Sequence, residues 1–172
     1  MLIEIQRVAT YASEAHASVN HTYDGKPYSF HLNMVYDFGF KFKHLLPEDK
    51  IITSLSACWT HDLIEDCRLS YNDIAEKFGV SVADITYNLS NNKGKTRAER
   101  ANNEYYLYIS FCRYSTFVKI CDRLANATHS KNSGSRMFEV YKKENKNFRN
   151  NLYTSELQEM WDELDTIFEI ER

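Results

Sequence analysis

Glycine and proline are scarce in this chain, at 5 and 2 among 172 residues. A sandwich or barrel of many tight turns needs more of both, so helices are favoured over sheets. Long apolar runs are missing too, and no membrane span is expected. The opening residues, Met1 to Arg7, lack a basic start followed by an apolar stretch, so no secretory signal is expected either. Excess positive charge is absent: 21 Lys and Arg stand against 24 Asp and Glu, a net charge of −3. That disfavours a globally basic nucleic-acid binder, though it leaves room for a local basic patch. No C-x-x-C pair occurs among Cys58, Cys67, Cys112 and Cys121, which argues against a zinc knuckle. Each cysteine lies in an apolar helical pattern and reads as a buried, reduced thiol, with the cytoplasm as the expected compartment.

What is present is enough apolar material for one core: 43% hydrophobic residues, 14% of the chain aromatic. The expectation is an all-α single domain over residues 1–172, with a motif-bearing part at about 15–127 and further helices at about 128–172. Apolar positions at helical spacing predict a first helix over about 2–19 and a second from about Tyr28 to His44. Between them Asp24-Gly25 is a turn signal. A third helix opens at Pro47 and is expected to run to about Asp66. Ser70 with Asp73 reads as a cap, Gly79 as the stop, and Ser81 with Asp84 as the next cap. Residues 91–95 read as a loop, with helices following at about 97–112, 116–127, 135–145 and 155–170. The acids of the last helix are most simply a solvated face.

The stretch richest in chemistry is Thr60-His61-Asp62-Leu63-Ile64-Glu65-Asp66. It follows an apolar run and places one imidazole and three carboxylates within six residues. On a continuous helix, His61, Asp62, Glu65 and Asp66 would share one side, within an arc of about 140°. Crowded, partly buried carboxylates repel one another and lose hydration, a cost that a divalent cation or basic partners relieve. On this stretch alone a solvated acidic helix end and a cation site both stand open. A second stretch, Phe117 to Asn126, is an apolar helix interrupted by Asp122 and, four residues on, Asn126. Either Asp122 forms a surface pair with Arg123, or it sits among apolar neighbours and needs a cation. A third, Asp24 to His31, is a loop entering a helix with His31 in its first turns.

Together these stretches resemble the HD superfamily of metal-dependent phosphohydrolases, and within it the hydrolase domain of the RelA/SpoT alarmone family and its small stand-alone hydrolases. The matching pieces are Ala15-His16, Asp24-Gly25-Lys26-Pro27-Tyr28 with His31, His61-Asp62 with Glu65-Asp66, Phe78-Gly79-Val80 with Val82, Lys93, and Lys119 with Asp122-Arg123 and Asn126. The resemblance implies a helical HD-domain bundle with one divalent metal ion held by His31, His61, Asp62 and Asp122. Two imidazoles and two carboxylates suit Mn²⁺, Fe²⁺, Co²⁺ or Zn²⁺ over Mg²⁺, and Mn²⁺ is usual in the family. It further implies that Glu65 and Asp66 orient or deprotonate the attacking water and that Asn126 lies near the nucleotide's ribose.

The chain departs from the family in the loop before His31, where a basic Arg-Lys pair packs around guanine. His21-Thr22 stands at that position, and neither residue offers a guanidinium to stack. Base contacts are therefore expected to weaken or to come from elsewhere, with Tyr23 and Arg97 nearest in sequence. Lys131, Arg136, Lys142, Lys143, Lys146 and Arg149, helped by Lys93, Lys95, Arg97 and Arg100, could form a rim for polyphosphate or merely a solvated helix face. The expected function is removal of a 3′-pyrophosphate from a guanosine tetraphosphate-like alarmone, a small nucleotide being the expected partner. The alternatives are a phosphatase acting on another nucleotide or dinucleotide cofactor, and a non-catalytic nucleotide sensor built on the same fold.

Overall fold

The computed structural model describes residues 2–90, 96–100 and 102–170. The expected all-α class is met: apart from one two-residue ladder, every regular element among the described residues is helical. In chain order the helices are α1 (Leu2–Ser18), α2 (Ser29–Phe42), α3 (Glu48–Thr60), α4 (Leu63–Asp66), α5 (Tyr71–Phe78), α6 (Val80–Leu89), α7 (Arg97–Arg100), α8 (Asn103–Ser110), α9 (Arg113–Asn132), α10 (Met137–Leu152) and α11 (Gln158–Phe168).

The 20-residue α9 is the axis of the molecule. Phe117, Ile120, Cys121, Leu124 and Ala125 recur on it at i, i+3, i+4, i+7 and i+8, and all are buried. Around that stripe pack α2, α3, α8, α10 and α11. Phe148 of α10 and Trp161 and Leu164 of α11 complete this core, in which each large side chain contributes about 1.5–3 kcal/mol on burial. A second apolar cluster joins α1 to α6 through Val8, Leu32, Leu55, Trp59, Leu63, Ile74 and Val82.

Local chemistry explains most boundaries. Ser70 and Asp73 form a reciprocal capping box at the start of α5. The expected second cap at Ser81 does not form: Gly79, at φ +90°, ends α5 and itself stands before α6, which starts at Val80. The stretch expected as one helix over 97–112 is broken, because Asn102 accepts from the Tyr105 N–H and starts α8 afresh. The expected third helix also stops short. It ends at Thr60, His61 caps it, and Asp62 adopts φ −103° and ψ 1° before the short α4 begins. Asp24 and Gly25, at φ +51° and +73°, close a tight hairpin in which Thr22–Tyr23 pairs antiparallel with Lys26–Pro27.

Helices α2 and α3 meet at Gly39. A Cβ there would lie 2.8 Å from Cys58 Sγ and 3.1 Å from Leu55 Cδ2, so the contact needs the bare glycine. Gly39→Ala is expected to cost about 1–2 kcal/mol net, overpacking outweighing the gain in helix propensity, and to lower Tm by about 2–8 °C. Adding Cys58→Ala should recover most of that loss in thermal melts. A Gly39→Ala protein at least as stable as the unmodified one would contradict the close-packed contact.

Candidate metal centre

Three helices and one break bring the chemistry together. His31 lies in the first turn of α2, His61 and Asp62 occupy the break between α3 and α4, and Asp122 lies on α9. The break itself has a partner: His61 Nδ1 donates to the Cys58 carbonyl at 3.0 Å, one of the last-turn carbonyls that α3 leaves without an intrahelical donor. This bond fixes the tautomer and leaves the Nε2 lone pair facing the centre.

The donor atoms stand close. His31 Nε2 is 3.3 Å from Asp122 Oδ1 and 4.0 Å from Asp62 Oδ2. His61 Nε2 is 2.8 Å from Asp62 Oδ2 and 3.9 Å from Asp122 Oδ1. Both imidazoles are buried, and His61 Nε2 makes no aligned hydrogen bond despite its near carboxylate. Two buried imidazoles and two partly buried carboxylates, with donor atoms 2.8–4.0 Å from one another across the pairs given, fit a divalent cation of borderline hardness.

Without a cation, other positive charge gathers at this point. Lys119, one turn before Asp122, reaches its Oδ2 at 2.9 Å. The expected alternative pairing of Asp122 with Arg123 is not what forms, since Arg123 turns to Glu144 at 3.0 Å. Burial opposes ionisation of Asp122, but Lys119 and the two imidazoles outweigh it and hold the carboxyl well below the usual range. Burial likewise opposes a charge on His61, yet Asp62 and Asp122 raise it to about 9. Asp62 also accepts a 2.5 Å hydrogen bond from the Tyr28 hydroxyl. Burial and Asp62 push that phenol upward, so it remains a donor. Asn126 donates to Asp122 Oδ1 at 2.5 Å and accepts from the Tyr23 hydroxyl at 2.8 Å. The Tyr23 ring in turn lies flat on His31, with centroids 4.7 Å apart.

A cavity of about 190 Å³ opens over these groups. Acidic Asp62, Glu65, Asp66 and Asp122 line it together with basic Arg97, Arg100, Lys119 and Arg123 and the aromatic Tyr105, Tyr106 and Tyr141. Glu144 holds Arg97 at 2.7 Å as well as Arg123, and both guanidiniums lie over the Tyr141 ring. Burial, then Asp62 and Glu65, raise Asp66 to about 7.

Of the residues singled out from the sequence, His31, Asp62, Glu65, Asp66, Arg97, Asp122 and Asn126 line the cavity, and His61 lies directly behind. His21 and Thr22 are not part of that lining. The His21 ring stacks on Tyr28 with centroids 3.9 Å apart, and Thr22 is exposed on the hairpin. Lys93 lies outside the described residues. Sequence reasoning gave no role to Tyr28 or Glu144. Tyr28 could have been suspected from its place three residues before His31, whereas Glu144 carried no signal of its own.

No family model matches the chain, and no curated protein matches it. A solved structure does resemble it: that of a metazoan ortholog of SpoT, a protein that hydrolyzes ppGpp and plays a role in starvation responses. The TM-score is 0.75 at 20% sequence identity, covering 96% of this chain and 94% of that one. The likeness establishes the fold.

Asp66 makes a stability effect measurable. The folded carboxyl keeps its proton to about pH 7, whereas the unfolded chain releases it near 3.8, so stability is lost as pH rises between those values. Asp66→Asn removes that loss. Discounting for the half-exposed position, the metal-free variant is expected to gain about 1–2 kcal/mol over the unmodified protein at pH 8 and almost nothing at pH 4. Urea unfolding at both pH values checks this, and an equal gain at both would refute the electrostatic origin.

Proposed function

We propose that this chain is a metal-dependent phosphohydrolase that removes a 3′-pyrophosphate from an alarmone-like nucleotide. The observation that carries the reading is the convergence of His31, His61, Asp62 and Asp122 at a cavity that basic residues also line. The motif resemblance over residues 15–126 and the fold likeness support it from separate directions. The helices beyond residue 128 cover α9, which supports reading residues 1–172 as one domain.

In this reading His31, His61, Asp62 and Asp122 hold one divalent cation, Mn²⁺ by resemblance. Such an ion would supply Lewis acidity toward water and phosphate oxygens. Glu65 and Asp66 orient the attacking water and take its proton. Lys119, Arg123 and Arg100 in the cavity lining balance phosphate charge. Asn126, fixed by Tyr23 and Asp122, is placed to meet a ribose hydroxyl. Arg97 over Tyr141 offers the flat cationic surface that His21-Thr22 lacks, and so takes over the base contact. Four free cysteines suit a reducing compartment, which supports the cytoplasm. No described helix is long and apolar enough to cross a membrane.

A second reading, a phosphatase on another nucleotide or dinucleotide cofactor, is favoured by one observation, the absence of His21 and Thr22 from the cavity lining. A nucleotide screen with Mn²⁺ and product mass analysis separates the two. Pyrophosphate release from guanosine 3′-pyrophosphates is expected. Orthophosphate release from other nucleotides would favour the second reading, and tight binding without turnover would indicate a sensor. Glu65→Gln keeps the side-chain size but removes the charge. Turnover should fall by about 10²–10⁴-fold while the metal content stays unchanged. Near-normal turnover in Glu65→Gln would remove Glu65 from the chemistry.

A further inference from the structure

A second set of ligand-bearing side chains converges beside the four-donor centre, and only Asp66 among them has a part in the reaction proposed above. His16 lies in the last turn of α1, His21 just before the hairpin, and Asp66 at the end of α4. Each offers one ligand atom, and the three atoms lie within 4.8 Å of one another. His16 Nδ1 and His21 Nδ1 are 3.0 Å apart, and His21 Nδ1 is 3.6 Å from Asp66 Oδ2. Donors bound to one ion at about 2.0–2.2 Å stand roughly 3.0–3.5 Å from each other.

Hydrogen bonding alone does not satisfy this arrangement. One shared proton can bridge the two Nδ1 atoms, but it leaves Asp66 beyond hydrogen-bond distance of the ring that faces it. His16 is completely buried. Burial lowers His16 to about 4 and also lowers His21, so both rings are neutral near pH 7, the state in which imidazole is a ligand. A cation is an occupant that both rings and the carboxylate can bind together.

We propose that His16, His21 and Asp66 form a second site for a transition-metal dication, separate in its ligands from the His31, His61, Asp62 and Asp122 centre. Two imidazole nitrogens and one carboxylate oxygen select Zn²⁺, Co²⁺ or Mn²⁺ over Mg²⁺ or Ca²⁺, with the remaining positions open to water. The Tyr28 ring is the partition between the sites. It stacks on His16 and His21, with centroids 4.3 and 3.9 Å away, while its hydroxyl holds Asp62. The proposal does not rest on the hydrolytic reading, and a protein without hydrolase activity would still bind two ions.

The test is equilibrium dialysis of the metal-free full chain against Co²⁺, with bound metal counted by elemental analysis. Unmodified protein, His21→Ala and His31→Ala are compared after circular dichroism confirms that each is folded. His21 is half-exposed, so its truncation leaves the core intact, and His21→Gln is the second variant should the first not fold. Two equivalents are expected in the unmodified protein. His21→Ala should weaken one of them at least tenfold in Kd, His31→Ala the other, and the double variant both. A single equivalent in the unmodified protein would show that His16 and His21 are only a hydrogen-bonded pair, and overturns the site. So would an unchanged binding curve for His21→Ala. Failure of the nucleotide screen with two equivalents bound would leave this site standing and overturn only the hydrolase.

Discussion

Buried negative charge is the constraint around which the structure is organised. Asp62 and Asp122 sit at a junction of three helices where water cannot solvate them fully, and an uncompensated carboxylate there would cost several kcal/mol. Every neighbouring element contributes to offsetting it: His31 from α2, His61 from the break after α3, Lys119 from α9 and the Tyr28 hydroxyl from the hairpin exit. Removing any one leaves charge unpaired, so the site and the packing of these helices are linked. The Gly39 contact matters for the same reason, because the approach of α2 to α3 places His31 opposite His61.

The break at His61–Asp62 shows how local chemistry serves that constraint. A continuous helix would have aimed His61, Asp62, Glu65 and Asp66 along one side, three like charges together. Ending α3 at Thr60 lets the imidazole bond a carbonyl that has lost its helical donor. The chain then turns Asp62 to the histidines and carries Glu65 and Asp66 to the cavity wall.

Much of this was legible in the residues. Helical spacing gave the all-α class and the buried stripe of α9, and the order of His31, His61-Asp62 and Asp122 marked the groups that meet. Features set by contacts between distant segments were not legible. Nothing near Glu144 shows that it holds Arg97 and Arg123, 47 and 21 residues away. Nothing near His21 shows that its ring stacks on Tyr28 instead of entering the cavity lining. The helix breaks were missed for a different reason: periodicity does not register a single residue whose side chain competes for a backbone group, as Asn102 does at α8 and His61 at α3.

The acidic and basic groups of the cavity are coupled through one helix. Lys119, Asp122, Arg123 and Asn126 follow one another on α9 within two turns, so acidic and basic members of the cavity lining ride on one rigid element. A shift of α9 would move both together and preserve their spacing. The hairpin is a separate element, tied to α9 through the Tyr23–Asn126 hydrogen bond and the His129–Asp24 pair. Substitution in the hairpin can therefore be accommodated without changing the spacing of the charged groups along α9.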